Sequence, residues 1–560
     1  MRIQRVEIGL FALAWISYAY FHQGGGWNQN GRFAMTRALV ESQRPWIDDY
    51  LVYVSDGPKG SPKLRRLPVR DGVFTADGRS LALAWTDGRG ELTPLAATAP
   101  RDAMLVHVDV AGASSDLAFA RGHVHPNKAP GTSFAAAPGY AIVRSVEWLL
   151  GVDADAARVL NVNAWLSGAS SVGLFAALGV VLFRRAALKL SDGRNDAALF
   201  STLAFSFGTL YFPYATMLYE HDLVAVALLG AYLLASGTLS PARLFGAGLC
   251  AGAAVLTSYL SVVAAAILLA YVAWRARRLA ALAAFAAGTL PAVGLLAAYN
   301  LVCFGQLWTT NYAWENPLFN QSGGLLELFG APRWDVLIAL LVSPARGLFA
   351  GTPVLVLGVV GLIVMLRRPK LKVDALLFGA MIVHVLLFNA SFKAWHGGWT
   401  CGPRYLIPAI PFLALPIAVL TPRLAWVRHA LLAVSIAAMA LATSVDPQPP
   451  APLSPPWRVS PVWSIDFPQF LDGRPGSFAS AHWTDSELAR YVEPVSANPS
   501  GIYGAPEGLF EIGSPELRWS SFNVGEFLFP GSRLSLLPWL LLAACLAGVD
   551  RLRRKTATKE

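Results

Sequence analysis

Apolar runs separated by short polar breaks fill most of the chain, and each is close to the roughly 20 residues a helix needs to cross the hydrocarbon of a bilayer. Runs at 5–22, 162–183, 195–213, 221–237, 243–257, 259–274, 280–302, 348–366, 373–391, 405–421, 428–445 and 534–549 predict about a dozen transmembrane helices. The first is followed by Gln23 and three glycines with no small-residue cleavage site, so it reads as an anchor and not a removable leader. Three polar segments interrupt the series, at 23–161, 303–333 and 446–533. The first is too long for a plain connector. Within it, residues 30–43 set Phe33, Leu39 and Val40 against Arg32, Thr36 and Arg37 at helical spacing, which predicts a short helix lying in the membrane interface. Residues 50–110 change character: VYVSDG, GVFTADG, SLALAWTDG and AMLVHVDVAG are short β-like runs broken by Gly and Asp. The third segment is rich in Pro, Gly, Ser and Trp and predicts little regular structure.

The expected fold class is therefore an all-α polytopic membrane protein of about 12 transmembrane helices, with extracytoplasmic loops and a small β-rich insertion. Its divisions are a first anchor at 1–22, an outer loop at 23–161, a multi-span domain at 162–445, an outer segment at 446–533, and a last helix with a basic tail at 534–560.

Composition agrees. The chain is 55% hydrophobic and only 14% charged, with mean hydropathy +0.46, whereas soluble domains carry about 25% charged residues. The net charge of +10 does not indicate nucleic acid, because the cations sit in clusters beside apolar runs. These are Arg2 and Arg5; Arg184, Arg185 and Lys189; Arg275, Arg277 and Arg278; Arg367, Arg368, Lys370 and Lys372; Arg423 and Arg428; and Arg551, Arg553, Arg554 and Lys555. Twelve spans put every cluster on one side, which the positive-inside rule assigns to the cytoplasm. Both termini are then cytoplasmic, in a multi-pass protein of the inner (plasma) membrane, and the three polar segments lie outside. Cys250, Cys303, Cys401 and Cys545 are scattered, with neither metal-type spacing nor a disulfide framework.

Ionisable groups at the outer boundary are the candidates for chemistry. Trp46-Ile47-Asp48-Asp49-Tyr50 offers adjacent carboxylates among aromatics, which suit a base or a solvated turn alike. Asp116 precedes His123-Val124-His125 and Lys128, where the His-x-His pair has no evident third ligand for a metal. Lys128, before Ala129-Pro130-Gly131 and a helix start, suits a phosphate. Tyr219-Glu220-His221-Asp222 opens the fourth run. Arg346 sits between Pro344 and Gly347 in a possible re-entrant turn, and Lys393 to Arg404 crowds Trp395, His396 and Trp399 with cations and glycines. Carboxylates with several cations on one face are what a membrane enzyme handling a lipid-linked phosphate needs. Cations stabilise the phosphate as it leaves, and a carboxylate takes the proton of the attacking hydroxyl.

On Asn127-Lys128-Ala129-Pro130-Gly131, Arg346-Gly347-Leu348-Phe349, the Trp395-to-Arg404 loop and Phe522-Asn523-Val524-Gly525-Glu526, in this order, the chain resembles the GT-C glycosyltransferases. It looks most like their bacterial protein O-mannosyltransferase-like and aminoarabinose lipid A transferase-like branch. The resemblance implies transfer of a sugar from a polyprenyl-phosphate donor, usually with inversion, to a glycan, glycolipid or protein acceptor outside the cytoplasm. One departure stands out. Where the family places an Asp-Glu pair ahead of an Arg-aromatic pair, this chain reads Gln29-Asn30-Gly31-Arg32-Phe33, and amides cannot act as a base. The carboxylate is therefore sought in Asp49 first, then Asp48 and Asp116. The donor is assigned to Lys128, Arg346 and Arg404, with His221, His396, Trp395 and Tyr50 as further substrate contacts. No metal ligand set or other cofactor is expected, a divalent ion being left open. A transporter or lipid flippase, or a non-catalytic assembly protein, are the alternative classes.

Overall fold

The computed structural model describes residues 4–24, 26–55, 64–71, 73–76, 79–82, 116–315, 328–398, 400–421, 425–449, 459–472 and 521–546. It is mostly helical. Helix α1 (Arg5–Tyr20) opens with a reciprocal cap between Gln4 and Glu7 and leads through the two-residue strand β1 (Phe21–His22) into α2 (Trp27–Arg37). Three hairpins follow: β2 (Val52–Ser55) with β3 (Leu64–Leu67), β4 (Val73–Ala76) with β5 (Arg79–Ala82), and β6 (Leu117–Ala120) with β7 (His123–Pro126). Then come α3 (Gly131–Leu150), α4 (Ala157–Gly168), α5 (Leu174–Leu190), α6 (Asn195–Phe207), α7 (Tyr211–Ala215), α8 (His221–Ala235), α9 (Pro241–Thr257), α10 (Ser261–Ala276) and α11 (Leu279–Phe304). The second half holds α12 (Trp334–Val342), α13 (Leu348–Gly351), α14 (Val356–Leu366), α15 (Lys372–Ser391), α16 (Ile410–Ala414), α17 (Ala425–Ser444), α18 (Phe467–Leu471), strand β8 (Phe522–Asn523) and a final apolar helix, Arg533–Leu546.

Each predicted apolar run coincides with a helical segment. Four described helical stretches are long and apolar enough to cross a membrane: Arg158–Leu190, Leu279–Phe304, Pro369–Ser391 and Ala425–Ser444. The run at 405–421 departs from a plain span. Pro408, Pro411 and Pro416 lack the N–H that an α-helix needs, so 3₁₀ turns flank the short α16, and residues 409–419 are buried within the bundle.

Two expectations need correction. The helix predicted for 30–43 exists, as α2 continued by a wide turn over Ala38–Ser42, but its polar face is turned into the protein and not to solvent. Residues 28–38 are all buried, because the arginines that gave it a polar face, Arg32 and Arg37, are 1% exposed and neutralised by carboxylates. The helix start read after Ala129-Pro130-Gly131 is real, but it opens a 20-residue helix, α3, that no predicted span covers. The β-like runs at 52–82 form hairpins as expected. Those at 103–112, and most of the Pro/Gly/Ser/Trp-rich segment, fall outside the described residues.

Backbones approach closely where glycine allows it. A Cβ on Gly248 of α9 would lie 1.9 Å from the Phe285 carbonyl of α11, and one on Gly288 of α11 would lie 2.0 Å from the Phe245 carbonyl of α9. Small residues draw helices together in this way where no hydrophobic effect acts between them. The C-terminal carbonyls of α8, unpaired in any helix end, are capped by cations from three other segments: Lys189 on Ser236, Arg275 on Ala235, and Arg243 on Leu233 and Leu234. The N-terminal end of α8 carries Glu220 and His221. Fifteen residues at 1.5 Å each separate the two ends by about 22 Å, so α8 spans from the cation caps to the polar cluster.

Candidate functional site

The cluster starts where the chain turns into α8. Glu220 precedes the helix, and its carboxylate accepts from Arg32 Nη2 of α2 at 2.6 Å. Burial alone would raise this carboxyl; Arg32, with lesser help from His221 and Arg404, more than offsets that and holds it at about 2. Tyr219, one residue earlier, is the junction. Its hydroxyl accepts from Arg404 Nη1 at 3.2 Å and from Gln448 Nε2 at 2.9 Å. The Gln448 side-chain oxygen in turn accepts from Gln29 Nε2 at 3.2 Å. The Arg404 guanidinium sits between two rings, 5.3 Å from the Tyr219 centroid and 5.1 Å from that of Tyr405, and donates to the Tyr405 hydroxyl at 3.3 Å. His221 stacks on Tyr219 and stands edge-on to Tyr405.

The second half comes from hairpin β6–β7. Its base is closed by Asn127 N–H donating to the Asp116 carbonyl at 3.0 Å, which brings Asp116 and Lys128 together although twelve positions separate them in sequence. Lys128 Nζ lies 3.5 Å from Asp116 Oδ1 and 5.7 Å from the Tyr312 ring centroid. Asn311 Nδ2 fixes the exit of the hairpin by donating to the carbonyls of Pro126 and Lys128. Glu315 closes the group: its Oε1 accepts from Asn127 Nδ2 at 2.5 Å. Burial pushes the Glu315 carboxyl up to about 7 against the pull of Lys128, with Asp116 adding to the rise.

The two halves act on common groups. Tyr219 is shifted upward first by burial, and it lies in the fields of Arg404, Asp116, Arg32 and Glu220 together. Tyr312 lies in those of Glu315, Glu220 and Tyr405. The side chains of Asp116 and Lys128 are 14% exposed and that of Glu220 12%, so the cluster is sheltered but not fully buried.

The other candidates are placed elsewhere. Arg346 is buried, and its guanidinium donates to the Thr400 carbonyl and to that of Gly398 at 3.2 Å. It fastens the loop in which Gly397 and Gly398 adopt φ of +74° and +73°, a region that suits glycine. His396 accepts from Gly398 N–H at 3.0 Å within the same loop, and burial, with Arg346 and Arg404 nearby, lowers it to about 4. Trp395 packs against Val336, Leu340 and Ala390. Asp48 is buried, with Oδ2 2.6 Å from His123 Nδ1 and Oδ1 accepting from Val124 N–H at 2.7 Å; it clamps the 47–50 turn to β7. Asp49 meets Arg70 at 2.7 Å on an open surface. Tyr50 lies under Arg37 and Arg66, in a network those arginines build with Glu41 and Asp155. Of the proposed site residues, then, Asp116, Lys128, Arg404 and His221 converge. Asp48, Asp49 and Tyr50 belong to the frame around hairpins β2–β3 and β6–β7, and Arg346, His396 and Trp395 to that of the 395–404 loop. Sequence reasoning passed over Glu315 and Tyr312; an acid set among aromatics in Asn311-Tyr312-Ala313-Trp314-Glu315 was the available signal. His123 stacks on Trp46 and His125 packs against Phe304, and no group of metal-ligating side chains occurs among the described residues.

No family model matches the chain, and no curated protein matches it. Two solved structures are similar to it: ArnT from Cupriavidus metallidurans bound to undecaprenyl phosphate, at 15% identity, and the same protein in the apo state, at 14%. Each alignment has a TM-score of 0.43 and covers 78% of this chain and 63% of the other. The chain thus matches less than two thirds of the length of these proteins.

Proposed function

We propose that this chain is an integral membrane glycosyltransferase of GT-C type, moving a sugar from a polyprenyl-phosphate donor to an acceptor hydroxyl on the extracytoplasmic face. The observation that carries the proposal is the meeting of one aspartate, Asp116, with Lys128, Arg404 and Arg32 around Tyr219, sheltered but not sealed. Lys128 is a point charge for a phosphate oxygen, and Arg404 offers a planar fork held by two tyrosines. Arg32 is committed to Glu220 and sets the field from behind.

The acceptor oxygen attacks the anomeric carbon from the side opposite the phosphate. The new carbon–oxygen bond forms as the bond to the phosphate oxygen breaks, so the configuration inverts. Asp116 takes the hydroxyl proton, and the bonding pair leaves on the phosphate, where Lys128 and Arg404 meet the growing charge. Asp116 is preferred to Asp48 and Asp49 because both of those are occupied away from the cations. The polar end of α8 faces outward and its cation-capped end faces the cytoplasm, with both termini inside, in the inner membrane. The acceptor is a glycan, a glycolipid or a protein.

The test is mass spectrometry of envelope glycans, glycolipids and glycoproteins from cells with and without the protein, followed by transfer with purified protein and lipid-linked sugar. Loss of one sugar modification, restored by wild type and not by Asp116→Asn, is expected. An unchanged envelope, together with no transfer from any polyprenyl-linked sugar, overturns the proposal.

A further inference from the structure

Lys128 is paired with one carboxylate and lies in the field of a second. Asp116 approaches it at 3.5 Å, and Glu315 reaches the same place from the segment after α11. Glu315 is fixed on two sides. Its backbone bridges Ala118 of β6, and its Oε1 takes the Asn127 side-chain amide at 2.5 Å. The other oxygen, Oε2, is buried and has no hydrogen-bond partner among the described residues. A carboxylate with one oxygen held and the other buried and bare is poorly solvated as an anion, and a proton on Oε2 relieves that. The groups facing Glu315 are Lys128, Asp116 and Asn127. Those around the adjoining Tyr312 are Glu220, Tyr259 and Tyr405. One lysine therefore offsets a pair of acids.

This arrangement conflicts with binding an anion. If Asp116 and Glu315 are both ionised, they outnumber Lys128, among the described residues only Arg404 offsets the difference once Arg32 is paired with Glu220, and Lys128 is already engaged when a phosphate arrives. If Glu315 is neutral, one carboxylate and one ammonium remain, and a phosphate adds to a balanced site. We infer that Glu315 is a positioning residue that takes up a proton on Oε2 when a phosphate monoester occupies Lys128, so that loading of the lipid phosphate is coupled to proton uptake. The inference rests on the phosphate-binding reading of Lys128 and adds a stoichiometric proton to it. The position of the Glu315 carboxyl near neutrality, at about 7, puts this coupling within the working pH range. The proton goes to Glu315 from solvent on binding and returns on release; no other bond is made or broken.

Calorimetric titration of the detergent-solubilised full chain with undecaprenyl phosphate, at about pH 8 in buffers of different ionisation heat, counts the protons exchanged. Wild type is expected to take up about half a proton or more per phosphate, and its affinity to fall by up to about tenfold per pH unit above neutrality. In Glu315→Gln the amide oxygen still accepts from Asn127, so the hairpin contact is kept. The extra proton uptake and the alkaline fall in affinity should both disappear, whereas loss of a merely structural contact would leave the proton count unchanged. Wild-type binding without proton uptake overturns the inference whatever the variant does, and leaves Lys128 as a phosphate site. A Glu315→Gln protein that takes up as many protons as wild type also overturns it. No binding of the lipid phosphate by wild type overturns both readings at once.

Discussion

Arg32 of α2 and Glu220 at the start of α8 form an ion pair of 2.6 Å between groups 1% and 12% exposed. The pair joins α2 to the start of α8, and it supplies a carboxylate beside the stretch where Gln29 and Asn30 carry none. Removing one partner leaves the other as an uncompensated buried charge, which costs about 3–5 kcal/mol. Glu220→Gln should therefore lower the thermal midpoint of purified protein clearly, and Arg32→Gln/Glu220→Gln less than either single change. If the double variant loses as much as the sum of the singles, the two residues are not coupled.

The same pair sets an acid limit. The folded carboxyl is held at about 2, below its ordinary 4.5. Its contribution is complete above the ordinary value and is lost as pH falls from 4.5 toward 2. Stability attributable to Glu220 should be flat from neutrality down to that window and fall within it. Glu220→Gln should flatten that part of a melting-temperature-against-pH curve, and an unaltered curve would remove the assignment.

Three aspartates give three different outcomes. Asp116→Asn is expected to reduce transfer about 10²–10⁴-fold while lipid-phosphate binding persists, since only proton acceptance is lost. Asp48→Asn should destabilise the packing of the 47–50 turn on hairpin β6–β7, because the buried carboxylate serves both His123 and Val124. Asp49→Asn should change stability by less than about 1 kcal/mol, as exposed pairs contribute little. Transfer and melting assays on the three separate these roles, and full transfer by Asp116→Asn would return the base to an open question.

Arg404 and Arg346 should also part company. Arg404→Gln removes the fork between Tyr219 and Tyr405 and is expected to weaken lipid-phosphate binding more than stability. Arg346→Gln frees the carbonyls of Thr400 and Gly398 and is expected to loosen the 395–404 loop, with protease sensitivity rising there. Equal binding loss and no change in proteolysis for Arg346→Gln would instead place it on the phosphate.

Gly288→Val tests the contact of α9 with α11. Its branched side chain would enter the space of the Phe245 carbonyl, and overpacking of this kind costs about 1–3 kcal/mol or more. Ala at Gly294, where nothing lies within 4 Å, is the matched control. A folded Gly288→Val protein of wild-type melting temperature would contradict the packing.

Much of the architecture is legible in the sequence because hydropathy acts over about 20 consecutive residues, and a helix forms wherever such a run occurs. The 405–421 run shows the limit, since its prolines forbid a regular helix without revealing how they are packed. The site was harder to read. Asp48 and Asp49 stand beside each other and look like a catalytic pair, yet adjacent side chains diverge, one into the hairpin and one to Arg70. Asp116 and Lys128 are joined by the hairpin closing between them, which composition only hints at. Arg32 looked solvated because its counter-ion, Glu220, lies 188 positions away, and Arg37, besides Glu41 one turn on, is paired with Asp155, 118 positions away. Long-range pairing is the information that a single sequence leaves out.

Strands β1 and β8 pair Phe21 with Asn523 and His22 with Phe522, and the Tyr20 hydroxyl donates to the Ser535 carbonyl at 2.6 Å. Helix α1 is thus locked by a segment that lies 515 positions further along the chain. During synthesis the top of α1 waits, unsealed, until residues 521–546 have been made and Trp539 can reach Ser17. Nascent chains stopped before residue 521 should therefore expose Tyr20 and Phe21 to chaperones or proteases, however well their middle helices are inserted. Quality control of α1 then amounts to asking whether residues 521–546 have arrived.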